Sequence, residues 1–555
     1  MIFNTLVFAK FILVVFFGSW ALSRWPKARF TFLAIASYIF YAGLDVFSHG
    51  FITSLRTMGP WQALVANAPH LYSVPIVFVG STVDYWLSIW IDRTDDAKKR
   101  KALLLVTIVM NAGLLLVFKY WDFLAEQVIA LGGPDGRMHL PLPLGISFFT
   151  FMSLSFVVDV YRREIPACRE YAHYVTYIAF FPHLVAGPII RGKDLLPQFA
   201  KPVALTATAA GEGIFLVCVG LIKKVVISDY LAINLVDRVV AEPTSYSSVE
   251  VLFGMFGYAI QIYCDFSGYS DVAIGIALLL GYRLKINFDA PFKASNLVEF
   301  WRRWHISLSS WLRDYIYIPL GGSRDPKQRV ASEGRTRLAT LIVTAGAIST
   351  AVNGYLYISH SGTGDTRSGA LFLLSAAVML VGLMTATSGR KYRNVWITMV
   401  VCGIWHGAAW SYVLFGVIQG LAVGISHFWF DSRGKRASDA GDAGISLGSL
   451  PAVLVTFVFT TLTFVLIRAP LDKAVLMYKQ LFALTTFTPN LSAKIVGVIA
   501  LGLVVQWLPR DIFNRARDIF TRAPAPVQGA LLFALAVVLR EAASSEAVPF
   551  VYGQF

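Results

Sequence analysis

From its first residues to its last, the chain repeats one pattern: an apolar run of roughly 17 to 25 residues, a short polar break, then another apolar run. Each run is long enough to cross a hydrocarbon core of about 30 Å, where every backbone N–H and C=O has to be satisfied within the segment. A helix does this by itself, so the pattern predicts an all-α polytopic membrane protein with about eleven to thirteen spans. Several runs are short or interrupted by Gly and Pro, which leaves room for re-entrant and interfacial helices. Composition agrees, with 56% hydrophobic and only 15% charged residues over 555 positions. There is no repeat period or low-complexity linker; the polar stretch DSRGKRASDAGDAG (431–444) reads as a cytoplasmic loop between a large first part and a three-span tail, and residues 1–555 are read as one membrane domain.

The charge pattern is read as topology. Lys and Arg number 48 against 33 acidic residues, a net charge of +15. The excess sits in short breaks: RWPKAR (24–29), DRTDDAKKRK (92–101), YRREIPACR (161–169), RDPKQR to RTR (324–337), RKYR (390–393), RGKR (433–436) and RDIFNRARDIFTR (510–522). The breaks 49–70 and 122–139 are nearly neutral. Such alternation marks cytoplasmic loops by the positive-inside bias, and it argues against a nucleic-acid partner. Both termini are therefore expected outside the cytoplasm, the last apolar run (523–539) carrying the tail 540–555 across. The opening stretch lacks a basic leader and a small-residue cleavage site, and is read as the first span. The four cysteines, Cys168, Cys218, Cys264 and Cys402, have neither metal-ligand nor disulfide-framework spacing. No metal is expected.

Two of the nine histidines stand in Trp-His dipeptides. In EFWRRWHISLSSWLRDYIYIPLGG (299–322), Trp301, Trp304, His305, Leu308, Leu312 and Tyr315 recur at helical spacing, while Arg302, Arg303, Ser310 and Arg313 point the other way. The spacing predicts one amphipathic helix with His305 on its embedded face, either as a core histidine or as a chemical group. His406 stands near the middle of NVWITMVVCGIWHGAAWSYVLFGVIQG (394–420), read as a continuous apolar run. An ionisable group at bilayer depth is costly and points to function. Gly403, Gly407, Ala408 and Ala409 would let a helix or a ligand come close to it. A neutral imidazole can take a proton from a hydroxyl, so the pair suits general-base chemistry at a thioester. No G-x-S-x-G elbow, phosphate loop, dinucleotide fingerprint or H-E-x-x-H helix is present, which removes the commoner soluble chemistries.

Five segments occur in one order: LPLGISFFTF (142–151), FFPHLVAGPIIR (180–191), QIYCDFSGYSDVAIGIALLLGYRLKINFDAPF (261–292), the His305 stretch, and GIWHGAAW (403–410). Together, over about 140–420, the chain resembles the membrane-bound O-acyltransferase family, in its bacterial branch of alginate O-acetyltransferases and teichoic acid D-alanyl transfer proteins. The resemblance implies a ring of tilted helices around a thinned centre. It makes His406 the principal catalytic histidine and His305 the second. It implies no bound cofactor, a cytoplasmic thioester donor for which acetyl-CoA is expected, and a bacterial inner-membrane setting among membrane lipids.

Two further features follow from it. The histidines stand 101 positions apart, wider than the family pattern, and the excess holds apolar segments 338–358 and 370–387, read as an extra hairpin. The closing FVYGQF (550–555) fits an F-x-Y-x-x-F pattern in which a tyrosine accepts the acyl group. Tyr552 would be that acceptor, with Phe550 and Phe555 as apolar grips; the alternative is interfacial anchoring by the three rings. Onward transfer would need an extracytoplasmic acyltransferase with a Ser-His-Asp triad, acting on a polysaccharide. D-alanyl transfer from a carrier protein, and a transporter or acyl-donor channel without transfer chemistry, remain open.

Overall fold

The computed structural model describes residues 3, 5–44, 49–130, 132–322, 390–434, 447–542, 548 and 550. Tyr552, Phe555 and the expected hairpin 338–387 lie outside the described residues. Among those described, the secondary structure is helical without strands, and six helices are long and apolar enough to cross a membrane: Ser73–Arg93, Ala97–Ala130, Ser248–Leu279, Trp410–Asp431, Leu450–Arg468 and Ala525–Ala542. Leu6–Ala21 and Ile146–Tyr161 are apolar but have 16 residues each, about 24 Å at 1.5 Å per residue, a length suited to a locally thin bilayer. The chain is thus an all-α polytopic membrane protein, organised as two compact units, residues 1–229 with 263–287 and 509–555, and residues 230–262 with 288–508.

In the first unit, buried polar groups hold helices together where apolar contact alone has no driving force against lipid. The carboxylate of Asp84, fully buried, accepts from Asn111 Nδ2 at 2.9 Å and from Ser153 Oγ, and that hydroxyl lies 3.1 Å from the Tyr174 hydroxyl. Asp84 therefore ties three helices directly, and the Ser153 hydroxyl extends the link to a fourth. Arg29 belongs to the RWPKAR cluster read as topology signal, yet its guanidinium is buried and donates to Ser19, the Leu280 carbonyl and Tyr282 Oη. That cation is structural. Helix Ala207–Leu221 meets the second half of Ser248–Leu279 through Gly213 against Gly275 and Gly220 against Gly268. A Cβ on Gly220 would stand 2.4 Å from the Gly268 carbonyl oxygen, so no larger residue permits this approach. Residues 510–522, expected as a loop, form a helix instead. Phe513 and Phe520 pack on Phe215 at 5.4 and 5.9 Å while Arg510, Arg515 and Arg522 are exposed, the pattern of a helix lying along an interface.

The second unit contains both tryptophan-histidine segments. Its organising element is a pair of antiparallel helices, Arg390–His406 and Trp410–Asp431, packed along their length through Gly403, Gly416 and Gly420. A Cβ on Gly403 would lie 2.4 Å from the Tyr412 carbonyl oxygen and 2.7 Å from Gly416 Cα. The open end of the hairpin is fastened by Lys391, whose ammonium lies 2.6 Å from Asp431, and by the Tyr392 hydroxyl donating to the same carboxylate at 2.9 Å.

Candidate active site

His406 does not sit in the middle of a continuous helix. The first arm ends at His406, residues 407–409 make the turn, and Trp410 starts the return arm. A run of apolar residues without Pro carries no visible stop, and the small residues at its centre serve the turn and the close approach of the two arms. The Gly407 position shows why: a Cβ there would meet the Tyr412 ring at 2.1 Å. His406 is thereby placed at the tip of a hairpin, about 24 Å along the helix axis from Arg390 at 1.5 Å per residue. The imidazole is 2% exposed.

The Trp405 indole packs edge-on against both histidine rings, 5.0 Å from His406 and 5.9 Å from His305 between centroids. One side chain thus brings together two histidines that are 101 positions apart in sequence. Both Trp-His segments thus meet in one buried cluster.

His305 differs from the sequence expectation in its backbone. The helix predicted through 299–322 is broken at this residue. Leu297–Arg303 ends, Trp304 is extended, and His305 takes φ 45° and ψ 55° as the residue capping Ile306–Leu312. A left-handed conformation in a residue other than glycine costs on the order of 1–3 kcal/mol and persists only where its surroundings enforce it. Here they do. Trp304 is buried against Phe288, Phe300 and Phe464 at 5.1, 5.7 and 5.1 Å. The preceding helix is capped by Asn296, whose side chain accepts from Glu299 N at 3.0 Å, and Glu299 pairs with Arg303 at 2.8 Å. His305 itself is fully buried, with Nδ1 3.4 Å from Ser307 Oγ.

The orientation of His406 follows from one contact. Its Nδ1 lies 2.6 Å from the Cys402 carbonyl oxygen. A carbonyl only accepts, so in the neutral ring Nδ1 carries the proton and Nε2 carries the lone pair. Gln419, absent from the sequence candidates, is fully buried: Trp301 Nε1 donates to its Oε1 at 3.1 Å, and its Nε2 donates to Thr463 Oγ1 at 2.8 Å. It ties the His305 segment, the hairpin and the Leu450–Arg468 helix together. An amide inside an apolar run is the sequence signal for such a residue. In the first unit, Phe550 is 8% exposed, its ring 4.7 Å from Tyr269 and 5.8 Å from Phe266. His183, in FFPHLVAGPIIR, is a further fully buried histidine there, 5.6 Å from the Phe180 ring.

The comparisons agree with the motifs. Residues 15–345 match the sequence model of MBOAT, the membrane-bound O-acyltransferase family. The chain is 32% identical over 524 residues to a probable alginate O-acetylase, AlgI, of Pseudomonas aeruginosa, covering 91% of this chain and 80% of that one. It is 30% identical over 437 residues to a peptidoglycan O-acetyltransferase of Helicobacter pylori, covering 74% and 70%. A teichoic acid D-alanyltransferase of Streptococcus thermophilus is 23% identical over 316 residues, covering 56% and 63%. The chain belongs to the membrane-bound O-acyltransferase family and is a multi-pass membrane acyltransferase.

Proposed function

We propose that the protein moves an acetyl group from a cytoplasmic thioester, acetyl-CoA, to the outer face of a bacterial inner membrane for O-acetylation of a polysaccharide. The observation that carries this reading is the pairing of His305 and His406 on Trp405, with the Nε2 lone pair of His406 as the base. The basic clusters 390–393 and 433–436 flank the fastened end of the hairpin, and the positive-inside bias supports a cytoplasmic position for that end. On this reading His406 lies toward the other face. The same bias supports Ala525–Ala542 leading the tail outward.

In the proposed reaction the Tyr552 hydroxyl oxygen attacks the thioester carbonyl carbon. Its proton passes to His406 Nε2, the carbon–sulfur bond breaks, and the proton leaves on the CoA thiol. The products are O-acetyl-tyrosine and free CoA. His305 holds the donor or shares the proton. A partner with a Ser-His-Asp triad then takes the acetyl group from Tyr552 and passes it to the polymer, regenerating the phenol. Acetyl is preferred to D-alanyl because the relatives named as acetylating alginate and peptidoglycan are the more similar ones.

The test is release of CoA from acetyl-CoA by purified protein, followed by mass spectrometry of the C-terminal peptide. A transporter without transfer chemistry would release none. D-alanyl transfer would leave acetyl-CoA untouched.

A further inference from the structure

In the first unit, the side chains of helix Arg510–Arg522 fall into three lines at about 100° per residue. Phe513 and Phe520 face Phe215 of helix Ala207–Leu221, and Thr521 stands beside Gly211 of the same helix, where a Cβ would come within 3.0 Å of it. Ile512 and Ile519, seven positions apart, stand about 100° round from that face and are 48% and 71% exposed. Arg515 and Arg522, again seven apart, stand about 60° beyond the isoleucines. Both are exposed, and neither has an ion pair or hydrogen bond among the described residues. The neighbouring Arg517 is engaged, paired with Asp518 at 3.1 Å and 3.8 Å from Glu212, while Asp511 lies in the first turn, where a helix favours an acid. The corner after the helix is fastened: Gln528 Nε2 donates to the carbonyl oxygens of Phe520 at 2.9 Å and Ala523 at 3.1 Å, which holds Ala525–Ala542 to it.

We propose that helix Arg510–Arg522 binds an anionic phospholipid, its phosphate on Arg515 and Arg522 and its acyl chains over Ile512 and Ile519. Protein contact, then exposed hydrocarbon, then cation, in order around one helix, is the arrangement of a helix lying at headgroup depth. Charge complementarity names the occupant. A guanidinium pairs with phosphate oxygens through two parallel N–H donors, and a headgroup with a net negative charge is favoured over one that carries its own cation. The positive-inside bias puts this basic cluster on the cytoplasmic side, where anionic lipids supply a negative surface. Among the described residues of Ala525–Ala542 none is buried, so packing on the protein places that span only weakly and its anchored start gains weight. A lipid at the corner would thus set the depth of the span that leads to Phe550. The binding itself does not rest on the tyrosine relay.

Native mass spectrometry of the full-length protein, released from bilayers holding phosphatidylglycerol and phosphatidylcholine in equal parts, tests it. The parent protein should retain phosphatidylglycerol in excess. Arg515→Gln and Arg522→Gln should each lower that excess by roughly fivefold, the worth of one basic residue near an anionic lipid surface. Arg24→Gln combined with Lys27→Gln removes two exposed charges from another basic cluster and should leave the excess unchanged. In bilayers, amide hydrogen exchange over 510–522 should be slower with phosphatidylglycerol than with phosphatidylcholine alone, and Ile519→Gln should abolish the difference. Equal retention of both lipids, an equal loss in the Arg24 and Lys27 double variant, retention unchanged in both arginine variants, or exchange indifferent to the lipid would overturn the proposal.

Discussion

His406 Nδ1 and the Cys402 carbonyl oxygen stand 2.6 Å apart, one helical turn from each other, so the backbone of the helix sets which nitrogen of the ring is basic. His406→Ala should lower CoA release by roughly 10²–10⁴-fold, the usual contribution of a positioned proton acceptor, with the protein still extracted and folded. Near-normal turnover in a folded variant would reduce His406 to a packing residue.

His305 separates side-chain chemistry from backbone conformation. Asparagine tolerates the left-handed region better than most residues, so His305→Asn should keep the melting temperature and lose activity. His305→Ala should lose activity and also stability. If the asparagine variant transfers acetyl normally, the imidazole is not needed.

Much of this arrangement is legible in the sequence, and the exceptions have physical causes. Apolar length marks the helices, and the order of the five motifs marks the family. The break at His305 is hidden because helical spacing continues on both sides of one left-handed residue. The turn at His406 is hidden because both arms of the hairpin are apolar. Gln419 escapes notice because a single amide does not disturb the mean hydropathy of a run. Arg29 reads as a topology charge because sequence alone cannot show that its guanidinium is engaged inside the protein.

The hairpin depends on closely approaching backbones. Gly403→Val should destabilise the protein by about 1–3 kcal/mol or more, as overpacking does, and lower both yield and melting temperature. Gly497→Ala is the control, since a Cβ there meets nothing within 4 Å among the described residues; it should be neutral or stabilise by up to about 1 kcal/mol. Equal effects at both positions would refute the packing argument.

Gln419→Leu leaves the buried Trp301 indole N–H without its acceptor, a cost of about 1–3 kcal/mol. Because Gln419 acts through the segments it joins, kcat should fall while KM for acetyl-CoA stays within about twofold. A rise in KM alone would instead place Gln419 in donor binding.

The tail supplies the sharpest test of the relay. Phe550 packs against Tyr269 and Phe266, which fixes the start of the hexapeptide two residues before Tyr552. Phe550→Ala should therefore weaken acetyl-tyrosine formation without abolishing it. Tyr552→Phe removes one oxygen and keeps the ring, so anchoring at an interface survives while the nucleophile is lost. The expected outcome is a folded protein that binds acetyl-CoA, forms no acetyl-tyrosine, and gives no polymer acetylation when combined with the extracytoplasmic acyltransferase proposed above. Polymer acetylation at the parent level by Tyr552→Phe would end the relay proposal while leaving His406 as the base for another acceptor.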